Sequence, residues 1–424
     1  MSSAPVPAPA SAPLTSLPAA HRRLVTGAVL LGTFIASLEV MVVSPAMPSV
    51  VGDLGGAGLY PWVFTAYMAV ETVTMPAYGR LSDRWGRRDT YLVGLGLFAF
   101  GTLLCGAAGS MEALLLGRAA QGLGAGALVP LPITIFGDLY PIEQRTRMQG
   151  LFSLVWGLSS LVGPATGGWV TASLGWRWIF WLNLPFCLLT GALVALYLPR
   201  RGPSVAASVE SGESGGPGAL RRLYQSPVQQ TIALAGIALG AGLFGVIGYL
   251  PLWIQAVHGG SPMDAGLAVI PLSVAWTLAS NVAGRLVRRT GFGPIVWAGT
   301  LIVALGASLA AFDTASRLGL ILFGLGMGAT IASFTVSAQE YAPPDLRGLA
   351  TSLGLFFRTV GASIAGPAFG WLAGIRPGAA DFSGVPNLEA GLRQVFIGVA
   401  VAAIIAAMIT WLRFPLRPRG AHAR

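Results

Sequence analysis

The chain has 424 residues, of which 54% are hydrophobic and only 10% charged, with a net charge of +10 and a mean hydropathy of +0.70. Soluble chains carry about 25% charged residues, so this composition excludes a soluble globular protein and indicates a polytopic membrane protein. All 26 basic residues are arginine; without lysine there is no Walker A phosphate loop, which argues against ATP-driven pumping by this chain alone.

In chain order, residues 1–21 are rich in Pro, Ala and Ser and carry no basic stretch ahead of an apolar one. They read as a disordered cytoplasmic tail rather than a signal peptide. Twelve apolar stretches of spanning length follow: 23–50, 59–79, 89–109, 112–138, 146–173, 177–198, 228–257, 263–286, 294–312, 317–341, 348–373 and 391–412. Between the sixth and seventh, residues 200–226 are polar and rich in Gly, Pro and Ser, as a linker is. The expected organisation is a six-helix bundle over 22–199, a cytoplasmic linker over 200–226, a second six-helix bundle over 227–413, and a cytoplasmic tail over 414–424.

Arginine placement sets the expected orientation. With both termini inside, the outer loops hold only Arg177, Arg317, Arg376 and Arg393, as the positive-inside rule requires. The basic charge therefore reports topology, and no nucleic-acid partner is needed to explain it. The lysine-free, Ala/Gly/Arg-rich composition points to a GC-rich bacterial genome and hence to a bacterial cytoplasmic (inner) membrane.

The two halves repeat each other. Gly79-Arg80-Leu81 returns as Gly284-Arg285-Leu286, Gly122-Leu123-Gly124 as Gly324-Leu325-Gly326, Gly163-Pro164 as Gly366-Pro367, and Tyr140 as Tyr341. Parallel halves of this kind are a transporter signature, with the substrate site between them near the midplane. The fold class is all-α: twelve transmembrane helices in two pseudo-symmetric six-helix bundles.

Four motifs carry a family resemblance over residues 23–412. They are GRLSDRWGRR (79–88), LLLGRAAQG (114–122), GPATGG (163–168) and SLEVMVVSPAMP (37–48). Together they resemble the major facilitator superfamily, and within it the drug–proton antiporters with twelve helices. Glu39, Met41 and Ser44-Pro45 depart from the family's first-helix pattern, where Asp, Thr and Asn-Val stand. The resemblance implies export in exchange for protons by alternating access. It also places Asp83 against the start of the eleventh helix, near Arg347 to Leu349, as a latch that favours the outward-open state; an anion suits a helix N-terminus. Gly79 and Gly86 permit close approach and a tight turn, and Arg80, Arg84, Arg87 and Arg88 are placed to pair with Asp83 and Asp89. Gly163, Pro164, Gly167 and Gly168 make the fifth helix bent and close-packed against the eighth, as hinge and seal. Asp138 and Glu340 end equivalent helices and are expected in a charge network with Arg145, Arg147 and Arg347.

Glu39, Glu71, Arg118 and Arg358 are charges within spans, where charge is costly and marks function. Glu39 and Glu71 lie roughly 16–18 Å from the outer ends of their helices at 1.5 Å per residue, and Arg118 roughly 9 Å. Two acids and two bases balance in a low-dielectric site. A carboxyl whose surroundings alternate between wet and dry, or paired and unpaired, binds and releases a proton in each cycle. Glu39, Glu71 and Arg118 are therefore the proton-coupling candidates, with Arg118 paired to Glu39 and Gln121 one turn away on the same side. Substrate-contact candidates are Glu71, Gln121, Arg358, Tyr67, Trp156, Tyr249 and Trp253. The bland readings are a static ion pair for Glu39–Arg118 and lipid-facing or packing positions for the aromatics.

His21, His258 and His422 lie in tails or a loop, and Cys105 and Cys187 sit singly in apolar runs, so no metal, cofactor or catalytic set is expected. The expected function is a secondary transporter, not an enzyme. It exports hydrophobic or cationic small molecules (drugs or natural products), with antibiotic resistance as a consequence, using the proton gradient alone and working as a monomer. A proton-coupled or facilitative carrier of one metabolite or lipid is the alternative, and a non-transporting scaffold has no reason to bury two glutamates.

Overall fold

The computed structural model describes residues 17–140, 142–200, 217–313, 316–343 and 346–415. The expected tails and most of the expected linker, residues 1–16, 201–216 and 416–424, lie outside the described residues, as do the side chains of Arg145 and Arg147. Twelve long helical segments account for the twelve expected spans: α1 (Ala19–Leu54), α2 (Tyr60–Trp85), α3 (Arg87–Gly106), α4 (Met111–Leu139), α5 (Ile142–Leu174), α6 (Trp178–Tyr197), α7 (Pro227–Val257), α8 (Pro262–Thr290), α9 (Phe292–Phe312), α10 (Arg317–Glu340), α11 (Arg347–Leu372) and α12 (Leu388–Arg413). There is no strand among the described residues. Ten of the twelve are apolar enough to be recognised as spans on hydropathy alone; α2 falls short through its Tyr, Pro and Thr positions and Glu71, and α5 through its Gly and Ser positions.

Two local features were not expected. α7 ends in a π-helical turn over Trp253–Val257. The segment expected to be linker throughout contains a short amphipathic helix, Pro217–Tyr224, which carries Arg221 and Arg222 in its last turn and buries Leu223.

Helix pairing is the same in both halves. α4 packs on α2 and α3 as α10 packs on α8 and α9, and α1 packs on α5 and α6 as α7 packs on α11 and α12. Glycines make the first set possible, because a side chain at these positions would strike a neighbouring helix. A Cβ on Gly122 would meet Tyr67, and one on Gly324 would meet Leu272. Gly124 faces Gly94 and Phe98 where Gly326 faces Gly299 and Val303, and Gly126 faces Glu71 where Gly328 faces Trp276. Each partner lies 205 residues from its counterpart, so the repeat read in sequence is a repeat of packing.

Between the halves, α5 packs on α8 and α2 on α11, with smaller contacts of α1 on α7 and α8. Every hydrogen bond between halves among the described residues lies toward the side away from the termini. Thr65 Oγ1 donates to Ser363 O at 3.1 Å and Gln255 Nε2 to Pro45 O at 2.8 Å. Ser44 and Tyr60 donate to the carbonyls of Ile247 and Gly248. The amides of Ala57 and Gly58 reach the carbonyls of Ala380 and Ala379, in the loop before α12. In that loop Asp381 accepts from Ser383 Oγ and Gly384 N, which holds its carboxyl below the usual carboxylate range. Near the other ends of α2 and α11, Gly79 and Gly348 are exposed with no atom close enough to meet an added Cβ. The helices thus converge at the far side and part toward the terminal side.

Candidate functional site

The centre of the N-terminal half is a buried polar cluster built from five helices. Ser110 caps α4 by accepting from Ala113 N, and the helix then presents Arg118 and Gln121 on one face, three residues apart. Arg118 donates to Glu39 Oε1 of α1 at 2.7 Å, to Gln121 Oε1 at 2.6 Å and to the Val63 carbonyl of α2 at 3.3 Å. Its guanidinium lies 4.3 Å from the centre of the Tyr67 ring, a cation–π contact. Arg118 and Glu39 are each 1% exposed. Gln121 in turn donates to Thr102 Oγ1 of α3 at 3.0 Å, and the second oxygen of Glu39 accepts from Asn183 Nδ2 of α6 at 2.6 Å. This buried pair satisfies the conditions under which an ion pair tolerates a low dielectric: close geometry and partners for the remaining lone pairs and protons.

The structure therefore brings together Glu39, Arg118, Gln121 and Tyr67. Asn183 and Thr102 complete the cluster and were not singled out from sequence. Asn183 did leave a signal, as the single amide in the apolar run Trp181-Leu182-Asn183-Leu184-Pro185-Phe186; Thr102 left none, because threonines within helices usually bond their own backbone, as Thr102 also does to Phe98 O.

Glu71 sits one turn beyond Tyr67 on α2, only 9% exposed; its carbonyl accepts from Thr74 Oγ1, but its carboxylate has no ion pair or hydrogen bond among the described residues. Arg358, half-buried on α11, is likewise unpaired. Trp156 is half-buried on α5. Tyr249 and Trp253 are placed differently from the expected substrate wall. Tyr249 is fully buried, donates to Gly366 O at 2.7 Å, and packs with Tyr60, Phe244 and Phe369. Trp253 packs against Phe396 and His258. Both belong to the sealed side in this conformation, since aromatic rings that close a helix interface cannot also line an open cleft.

The 79–88 loop also differs from expectation. Asp83 is not seated on the start of α11; it accepts from Arg87 at 2.6 Å, and the same guanidinium reaches Asp138 Oδ2 at 3.2 Å and Ser82 Oγ. Parting of the terminal ends removes the helix N-terminus, so the carboxylate takes the nearest cation. Gly86, with φ +88°, makes the turn between α2 and α3. Asp89 pairs with Arg200 at 3.2 Å. Arg80 and Arg84 are exposed and Arg88 is half-buried, with its Nε lacking a partner. Of the expected charge network, Asp138 joins through Arg87, whereas Glu340 is exposed and makes no ion pair among the described residues.

The helix 5 motif divides its contacts. Gly168 faces the backbone of Pro262 and Met263, and the Pro164 carbonyl faces Gly266, so these two seat α5 on α8 of the other half. Gly163 and Gly167 face Met41 and Val42 of α1, within their own half.

Residues 29–367 match the family model of the Major Facilitator Superfamily, and the chain belongs to that family of multi-pass membrane transporters. It is 29% identical over 393 residues to the Multidrug transporter protein MdtP of Bacillus subtilis, covering 80% of this chain and 72% of that protein. It is 28% identical over 411 residues to Multidrug resistance protein 3 of the same organism, covering 84% and 80%. Among solved structures, a bacterial homolog of the human lysosomal transporter Spinster in an inward-facing, unoccupied conformation superposes with a TM-score of 0.74 at 20% identity, covering 93% of this chain and 97% of that one. A D-xylose-proton symporter superposes with a TM-score of 0.72 at 17% identity, covering 93% and 98%.

Proposed function

We propose that this protein exports hydrophobic, often cationic, small molecules in exchange for protons, with the terminal side of the bundle cytoplasmic and the membrane a bacterial inner membrane. The observation that carries this reading is the Glu39–Arg118 pair. It is sealed within one half of a two-half transporter, and the second half has Leu320 where the first has Arg118. A scaffold shared by both halves does not require such a pair; a coupling device located in one half does. Glu39 releases Arg118 when it takes a proton, and the freed guanidinium falls back on Gln121, the Val63 carbonyl and the Tyr67 ring. Protonation thereby changes how α1 is held against α4 and α6, the helices that share this cluster. The multidrug names of the two bacillar relatives support the substrate class, and the arginine distribution supports the orientation.

In this conformation the helices of the two halves part toward the terminal side, the side from which an exporter loads. Asp83 then acts in the opposite state, when the ends of α2 and α11 come together. The test is uptake of a lipophilic cation into inverted membrane vesicles with an imposed pH gradient. Glu39→Gln and Arg118→Ala are expected to abolish gradient-driven uptake while the proteins still insert. Gradient-driven uptake that survives both substitutions refutes the coupling role, and uptake indifferent to the gradient in the wild type makes the protein a facilitator.

A further inference from the structure

We propose that Glu71 and Arg358 are the two poles of a binding site for zwitterionic small molecules, with Glu71 receiving the ligand's ammonium group and Arg358 its carboxylate or other anion. The proposal rests on the reading of this protein as a carrier with a central cleft, and it narrows the substrate class from cations to molecules bearing both charges.

Three observations converge on the pair. The first is the lack of partners. Arg118, whose charge reaches Glu71, makes its ion pair and hydrogen bonds with Glu39, Gln121 and the Val63 carbonyl instead. The hydroxyls beside Glu71 are committed as well: Thr72 donates to Met68 O and Thr74 to Val70 O. Arg358 has neither an acid nor a carbonyl acceptor among the described residues. A buried charge without a partner is disfavoured, and a ligand of opposite charge removes that penalty at each pole.

The second is access. Some buried side chains, such as Arg88 and Trp253, have unpartnered polar atoms sealed from solvent. Glu71 and Arg358 are not among them, so their charged atoms are not fully sealed although most of each side chain is covered.

The third is placement. Thr65 on α2 meets Ser363 and Gly366 on α11, and the two helices run antiparallel. Moving toward the terminal side from that contact, Glu71 is six residues along α2 and Arg358 five residues back along α11, roughly 9 Å and 8 Å at 1.5 Å per residue. The two charges therefore share a level. Helical rotation of roughly 100° per residue turns both away from the α2–α11 contact and, because the helices are antiparallel, toward the same flank of it. There the backbone of Glu71 lies against Gly126 of α4, and the backbone of Arg358 lies against Gly240 of α7. One pole thus belongs to each half, and the two do not pair with each other. A ligand with two opposite charges bridges the halves, whereas a simple cation engages only the first.

The experiment uses the purified full-length protein in lipid nanodiscs and three fluorescent probes on one scaffold. These are Nε-dansyl-lysine, which is zwitterionic; its methyl ester, which is cationic; and its Nα-acetyl derivative, which is anionic. The zwitterion is expected to bind at least roughly tenfold more tightly than either relative, as a second charge-assisted contact implies. Glu71→Gln is expected to bring the zwitterion down to the level of the acetyl derivative, and Arg358→Gln to the level of the ester, leaving the ester's own affinity unchanged. Equal binding of the three probes by the wild type, binding of none, or a preference for the zwitterion that survives both substitutions overturns the proposal. The wild-type series needs no substitution, so a variant that fails to fold does not leave the question open. Binding is read without a gradient and with Glu39 intact, so its failure leaves proton coupling standing, and loss of coupling in the vesicle assay leaves the binding series interpretable.

Discussion

Replacing Arg118 by methionine keeps most of the side chain's length and removes its charge. Glu39, 1% exposed, then loses its only cation, keeping the Asn183 amide as a donor, and Gln121 Oε1 loses a bond of 2.6 Å. Removing one member of a buried pair destabilises by about 3–5 kcal/mol, because the remaining charge is uncompensated. Glu39→Gln is milder, since Arg118 keeps Gln121, the Val63 carbonyl and the Tyr67 ring; a lost bond to a charged group costs about 1.5–3 kcal/mol. The double variant Glu39→Gln/Arg118→Met leaves neither charge, so its loss is expected to be smaller than the sum of the two, with a coupling of about 0.5–3 kcal/mol. The assay is denaturant unfolding of all four proteins in one detergent, followed by tryptophan fluorescence and circular dichroism. Additive losses refute the claim that the two side chains act as one unit, and an Arg118→Met variant as stable as the wild type refutes the claim that Glu39 depends on it.

Two further outcomes test the seal and the latch. Gly168→Ala places a Cβ against the backbone of Pro262 and Met263, which has no side chain to move aside, whereas Gly157→Ala finds Thr277 at 3.6 Å, an ordinary contact. Overpacking of this kind costs about 1–3 kcal/mol, so transport and thermal stability are expected to fall for the first and hold for the second; equal behaviour removes the close approach of α5 and α8 from the argument. Asp83→Asn disrupts a partly exposed pair with Arg87, and such pairs contribute about 0–1 kcal/mol. Stability is therefore expected to change little while transport falls, and full transport by Asp83→Asn removes the latch.

Much of this architecture was legible in the sequence, because the signals were periodic and redundant. Spans announce themselves by length and apolarity, and the repeated glycines mark contacts that the folded chain makes twice. The Glu39–Arg118 pair was legible for a different reason: only four charges lie deep in the spans, and in a low dielectric an acid and a base there seek each other. What could not be read depends on helix rotation. Tyr249 and Trp253 differ from a cleft-lining aromatic only by which side of α7 they occupy, and composition does not report that. Asp83 escaped for a conformational reason, since its partner depends on which end of the bundle is open. Asn183 and Thr102 required knowing that α6 and α3 bring their polar atoms to the same few ångströms as Glu39 and Gln121.

The two cysteines give the structure a further use. Cys105 and Cys187 are both buried and both lie in the N-terminal bundle. Cys105 Sγ lies 3.9 Å from Gln121 Oε1. The C-terminal bundle contains no thiol. A thiol-reactive dye added to the unmodified protein thus reports the opening of one half alone, while tryptophans distributed over both halves report the whole. Comparing the two signals during unfolding measures whether the halves come apart as one cooperative body or in sequence, without introducing a label.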